Sequence, residues 1–262
     1  MRRALIGTLL AIAAPARAAP DDLVARPIVL APGELDAELV GEIDLAPGEV
    51  FHPTSLAPDA WFGLSDRLTV GVFHSDPSVD RIEPGASFCL ITEGTGCDRL
   101  YHGGGIDARY EVLAGGLSVA PRARLWLRDV DPARPAMTLG AHVQWTHGRQ
   151  AVVGDPYLQI GLANTGAGNR AELVLPVTWS IQPARRIAID VRTGWNADVA
   201  VWRDGWHVPA YLGVRALATG ELELGAAVGF QSVFGPQATS KQRAAFVTVA
   251  WRGRVGCAGP AP

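Results

Sequence analysis

Apolar and polar side chains alternate over residues 34–45, ELDAELVGEIDL. Leu35, Leu39 and Ile43 fall on one face of this segment. The acidic residues share the other face: Asp36, Glu38, Glu42 and Asp44. A repeat of two residues is typical of a β-strand, because a helix would spread these residues around its circumference. The pattern therefore predicts a strand with one apolar face and one wet face.

The same two-faced pattern returns along most of the chain, in about twelve segments. These segments are residues 34–45, 55–64, 67–75, 105–115, 121–130, 136–147, 149–162, 170–182, 185–195, 207–218, 221–231 and 242–252. Most of them are close to the roughly 9–11 residues that a tilted membrane strand needs.

The connections between the segments alternate in length. Tight reversals are expected at Ser65-Asp66, around Pro121, at His147-Gly148, at Pro183-Ala184 and at Thr219-Gly220. The connections between them are often longer: 46–54, 76–104, 131–135, 163–169, 196–206 and 232–241. Short periplasmic turns at one rim and longer loops at the other are typical of outer-membrane barrels.

A soluble β-sandwich would also have alternating strands, so the character of the faces decides between the two folds. The apolar faces are nearly free of charge, and the polar faces carry Arg, Asp and Glu. No helix or second sheet is evident that could cover so many apolar faces, and lipid fits them better. Trp145, Trp179 and Trp251 fall on apolar faces near strand ends, as in an aromatic belt. The sequence therefore predicts an all-β fold, a closed antiparallel up-and-down transmembrane barrel of about twelve strands.

The first residues are typical of a cleaved export signal. Arg2 and Arg3 precede an apolar stretch at 4–14, and Ala16-Arg17-Ala18 fits the small-x-small cleavage rule. The expected organisation is a signal peptide at 1–18, a periplasmic N-terminal segment at 19–33, an outer-membrane β-barrel at 34–252 and a periplasmic tail at 253–262.

Charge and cysteine content narrow the picture further. The formal net charge of −3 gives no basic face of the kind that binds nucleic acid. In an oxidising compartment Cys89 and Cys97 could form a local disulfide, the alternative being two free thiols. Cys257 lies in a Gly/Pro-rich tail without an evident partner in the chain.

Two stretches resemble a known class of protein. Residues 56–72, LAPDAWFGLSDRLTVGV, resemble the strand, Ser-Asp turn and strand of many porin-like outer-membrane β-barrel proteins of Gram-negative bacteria. Residues 243–251, RAAFVTVAW, resemble the alternating, aromatic-ended last strand that the barrel-assembly machinery reads. The resemblance implies location in the outer membrane, with outer-membrane lipid and the assembly machinery as partners.

The polar faces would line the lumen of such a barrel. Strands ~4.8 Å apart and tilted ~40° give a backbone diameter of about 24 Å, which side chains narrow to roughly 10 Å or less. The lumen-lining candidates are Asp36, Glu38, Glu42, Arg109, Glu111, Arg122, Arg124, Arg128, His142, Asp190, Arg192, Arg215, Glu221 and Glu223. Acidic and basic walls could orient a polar or zwitterionic solute, or their charges could form an ion-pair network that plugs the barrel.

The expected function is passive passage of small polar or zwitterionic solutes, without cofactor or metal. The first alternative is a non-conducting surface barrel for adhesion or partner binding, with Trp202 and Trp206 as contacts. A distant third is an outer-membrane lipid hydrolase, for which His74 and Ser75 are the nearest pair. Because adjacent strand residues point to opposite faces, these two side chains are not expected to couple, and no enzyme activity is predicted.

Overall fold

The computed structural model describes residues 22–48, 50, 54–75, 88–91, 99–236 and 238–255. The strands in these residues are β1 (Glu34–Asp44), β2 (Thr54–Ser65), β3 (Leu68–Phe73), β4 (Phe88–Ile91), β5 (Gly104–Tyr110), β6 (Leu117–Val130), β7 (Ala133–His147), β8 (Gln150–Gly154), β9 (Tyr157–Gly161), β10 (Glu172–Ala184), β11 (Ile187–Asp198), β12 (Trp206–Leu217), β13 (Leu222–Phe234) and β14 (Arg243–Arg254). Short 3-10 turns lie at Thr165–Ala167 and Val199–Val201. Within the described ranges, no helix combines the length and the apolar character that a membrane span requires.

All strand pairs are antiparallel, and the sheet closes on itself because β1 pairs with both β14 and β2. The strands β3 and β4 both pair with the same side of β2 and share one position in the wall. The strands β8 and β9 likewise share the position between β7 and β10. The wall is therefore a closed barrel of 12 strand positions, which confirms the predicted fold class.

The reversal predicted around Pro121 is wrong. Strand β6 begins at Leu117 and runs through Pro121, and the chain reverses at residues 111–116. Proline has no N–H to give to a ladder and is tolerated where the neighbouring strand ends. The pairing of β5 with β6 stops at Arg109–Arg122, so Pro121 lies just beyond it.

Most other connections follow the predicted alternation. The reversals at 66–67, 111–116, 148–149, 185–186 and 218–221 lie at one rim, here called the short-turn rim. Strand β1 starts and β14 ends at this same rim, where Glu34 pairs with Arg254. At the opposite rim the connection at 131–132 is tight, although the sequence predicts a longer one.

The outer face of the wall is apolar and open to its surroundings. Leu125, Val177 and Leu224 are 51%, 40% and 45% exposed, so these side chains are not packed between two sheets. Trp145 and Trp179 also lie on this face, close to the short-turn rim. An apolar band around a closed barrel is the surface that fits a bilayer core.

Candidate functional site

The inward faces of the strands enclose a cavity of about 440 Å³. Its wall contains nine of the predicted lumen residues: Asp36, Glu38, Arg109, Arg122, His142, Asp190, Arg192, Arg215 and Glu223. The period of two places them there, because each occupies an inward position of its strand. The cavity is therefore lined by charges of both signs.

The other predicted lumen residues lie elsewhere. Glu42 and Arg124 are buried on the inner face, outside the cavity wall. Arg128 forms an ion pair of 3.3 Å with Glu172. Glu111 and Glu221 are at the short-turn rim, the first just after β5 and the second just before β13.

Glu221 belongs to the rim rather than to the lumen. Its Oε2 accepts a hydrogen bond of 3.1 Å from Nε1 of Trp251, whose strand neighbours Ala250 and Arg252 line the cavity. Trp251 therefore points outward, and Glu221 holds the polar edge of its indole at the rim. Amphipathic tryptophans with one wet edge are typical of membrane interfaces.

One charge cluster, here called the β5–β6 cluster, centres on Asp107. The Oδ2 atom of Asp107 lies 2.5 Å from Nη2 of Arg122, and 3.5 Å from both Nη2 of Arg109 and Nε of Arg124. Arg122 also pairs with Asp155. Asp107 is only 2% exposed. It was not among the predicted lumen residues, although its spacing of two residues from Arg109 on β5 places both on the inward face.

A second cluster, here called the β11–β13 cluster, centres on Arg215. Its Nε lies 2.6 Å from Oδ2 of Asp190, and its Nη1 lies 3.4 Å from Oε1 of Glu223. Ser180 donates its hydroxyl to Asp190 at 2.5 Å. In both clusters carboxylates lie against the guanidinium groups and offset part of the cost of removing these charges from water.

Asp36 and Glu38 differ from these paired groups. Among the described residues, neither carboxylate has a hydrogen-bond partner or an ion-pair partner within 4.0 Å. Both line the cavity, and Glu38 lies opposite Asp59 on β2. This part of the wall therefore presents two carboxylates that no arginine contacts directly.

Residues 22–33, the described residues that precede β1, lie inside the barrel. The structure places residues 22–33, here called the N-terminal segment, across the lumen near the short-turn rim. The periplasmic location of residues 19–33 stays a prediction. The backbone N–H of Leu23 donates to Gln182 of β10, and that of Leu30 donates to Thr69 of β3. These strands lie on different sides of the ring, so the segment crosses the opening rather than following the wall.

The other candidates from the sequence are the catalytic pair His74 and Ser75 and the contact residue Trp202. Ser75 donates its hydroxyl to Asp59, while Nδ1 of His74 lies 2.6 Å from the carbonyl oxygen of Pro58, so the structure does not couple these two side chains. In the part of the chain that is described, no group of three or more His, Cys, Asp or Glu side chains is arranged to hold a metal. Trp202 stacks edge-on against Trp195, with ring centroids 4.8 Å apart.

Cys89 is disulfide-bonded and buried. Both Cys97 and Cys257 lie outside the described residues, so the pairing of Cys89 with Cys97 stays a prediction.

Known structures share this architecture. A KdgM porin, solved in complex with disordered oligogalacturonate, is 8% identical, with a TM-score of 0.55 over 82% of this chain and 98% of the porin. A NanC porin is 7% identical, with a TM-score of 0.57 over the same shares of 82% and 98%. An outer membrane channel from Pseudomonas putida F1 is 12% identical, with a TM-score of 0.51 over 86% of this chain and 97% of the channel.

No protein-family model matches the chain, and no curated protein matches it in sequence. The similarity to these porins and channels is therefore one of fold. The chain has the porin-like β-barrel fold of outer-membrane channels.

Proposed function

We propose that this protein is an outer-membrane channel through which small polar or zwitterionic solutes diffuse passively. The observation that carries the proposal is the closed barrel with an apolar outer face and a charged cavity of about 440 Å³ inside. The porin-like fold supports the same function and the outer-membrane location. The apolar face would contact outer-membrane lipid, and β14 would be the strand read by the barrel-assembly machinery.

The charge pattern suggests how a solute would be oriented. Asp36 and Glu38 face the cavity without a directly bound arginine, so they would attract the cationic end of a solute. Arginines of the two clusters would face its anionic end, although their own carboxylates weaken that attraction. A low-dielectric wall strengthens such fields relative to bulk water.

The proposal is tested by planar-bilayer recordings of purified, refolded protein. We expect discrete conductance steps that scale with salt concentration. Silence across salts and voltages, both in the full chain and in a variant lacking residues 22–30, each shown to be folded and inserted, would contradict the channel and favour the surface-barrel alternative.

Removing the two unpaired carboxylates should lower the preference for cations. In Asp36→Asn/Glu38→Gln we expect the cation-to-anion permeability ratio to fall roughly two- to fivefold, as expected for loss of nearby charge in a partly screened lumen. The reversal potential in a KCl gradient measures it. The control is Asp66→Asn, which removes a carboxylate from an exposed turn; an equal change there would contradict a role for the cavity wall.

A further inference from the structure

We propose that the N-terminal segment is a gate that restricts the short-turn end of the lumen and opens when the segment leaves it. The inference rests on the proposed channel function and concerns its regulation. Its basis is the path of residues 22–33, which contact inward side chains on several sides of the barrel.

Two apolar clusters hold the segment at separate places. Leu23 and Val24 pack with Ala151, Ala188 and Leu217 in one buried cluster. Further along the segment, Ile28 and Val29 pack with Ala120 of β6 in another. Small inward alanines on the wall leave room for these larger side chains, so wall and segment are complementary in size.

Polar contacts tie the segment between these clusters. Nη1 of Arg26 lies 2.7 Å from Oε2 of Glu223. The Nε2 of Gln144 donates to the carbonyl oxygen of Val24 at 2.9 Å, and Nη1 of Arg109 lies 3.5 Å from the carbonyl oxygen of Ile28. The wall partners of residues 23–30 are largely side chains, unlike the continuous backbone ladders that join the strands.

The segment is connected to the barrel at Gly33. This residue has φ +74°, a left-handed conformation that glycine adopts without strain. Its N–H donates to the carbonyl oxygen of Gly63 at 2.9 Å, and its carbonyl oxygen accepts from Val255 at 3.0 Å. The close approach also explains Gly63, where a Cβ would collide with the carbonyl group of Ala31. Gly33 is thus a fixed pivot between the segment and β1.

Release of the N-terminal segment would leave few polar groups of the wall without a partner. If Arg26 leaves, Glu223 still has Arg215 within ion-pair distance. Gln144, Gln182 and Thr69 face the lumen, where water can replace the lost hydrogen bonds. The main cost is therefore exposure of the apolar side chains in the two clusters.

The direct experiment is single-channel recording of the wild type beside a variant lacking residues 22–30, both refolded from the denatured chain so that export is not needed. We expect the deletion variant to conduct several-fold more than the wild type. Equal, measurable conductance would overturn the gate but leave the channel function intact. If neither protein conducts, the proposed channel function fails, and the gate with it.

A reversible crosslink tests the same inference in the full-length chain. In Ile28→Cys/Ala120→Cys, oxidation should lock the segment, and reduction should raise the conductance. The wild type exposed to the same reductant controls for the Cys89 disulfide, and each single variant controls for substitution. Conductance of the verified crosslinked protein that is unchanged by reduction would overturn the proposal.

Breaking the ion pair gives a milder version of the same test. In Arg26→Gln we expect an increased fraction of time in the open state, because only the Arg26–Glu223 contact is lost. The matched control is Arg67→Gln, which removes an exposed arginine at the short-turn rim. Open times that change equally in both variants would argue against a specific latch.

Discussion

The variant Asp107→Asn is expected to destabilise the folded barrel by about 3–5 kcal/mol, the usual cost of breaking a buried ion pair from one side. Asp107 is 2% exposed and lies within 3.5 Å of three arginines, Arg109, Arg122 and Arg124. It also accepts a hydrogen bond of 3.2 Å from Nε1 of Trp61. Without the carboxylate, these largely buried guanidinium groups would repel one another.

Urea-induced unfolding in lipid vesicles, followed by tryptophan fluorescence, measures this loss. The control is Asp66→Asn, whose carboxylate is exposed and which should stay within about 0.5 kcal/mol of the wild type. If Asp107→Asn is as stable as this control, the β5–β6 cluster does not stabilise the barrel. The plug interpretation of the lumen charges would then lose its best candidate.

The second large effect is expected on the outer face. Leu212 is 58% exposed and lies within β12, opposite Val191 of β11. Placing an arginine on the lipid face near the middle of a bilayer costs about 2–4 kcal/mol, so Leu212→Arg should destabilise the protein by that amount in vesicles. On a water-exposed face the same substitution would have an effect within about 0.5 kcal/mol.

The comparison with Leu212→Ala separates the cost of charge from the loss of the leucine side chain. Reversible unfolding from phospholipid vesicles gives both values under one condition. Near-equal stability of the two variants would mean that this face contacts water rather than hydrocarbon.

The strands were predictable because their signal is local. In β1 the alternation of Leu35, Asp36, Ala37 and Glu38 defines both faces without reference to any other strand. The closure of the sheet into a barrel was predicted from a physical argument. Uncovered apolar faces need an apolar solvent such as lipid, and in lipid a sheet must close so that no strand edge is left unpaired. The error at Pro121 has the opposite origin, since a proline is tolerated there only because β5 ends beside it.

The partners within the lumen were not predictable in the same way. The alternation places Asp107 and Arg122 on inward faces, but only strand register brings them together. The N-terminal segment has no periodic pattern, and its apolar residues, Leu23, Val24, Ile28, Val29 and Leu30, become buried only once the barrel surrounds them. The presence of five large apolar residues before the first strand was the feature of the sequence that could have indicated a buried segment.

Chemical labelling of two neighbouring positions tests the central claim most directly. Val191 and Arg192 lie at the same depth on β11, with Val191 on the outer face and Arg192 in the cavity wall. Each is replaced by cysteine in a Cys257→Ser background, and the protein is inserted into vesicles containing brominated lipid. After insertion, a membrane-impermeant maleimide should label Arg192→Cys but not Val191→Cys. In a second experiment a fluorophore is attached to each cysteine before insertion, and brominated lipid should quench the fluorophore at position 191 but not the one at position 192. Aqueous labelling at 191, or lipid quenching at 192, would contradict a barrel with hydrocarbon outside and water inside.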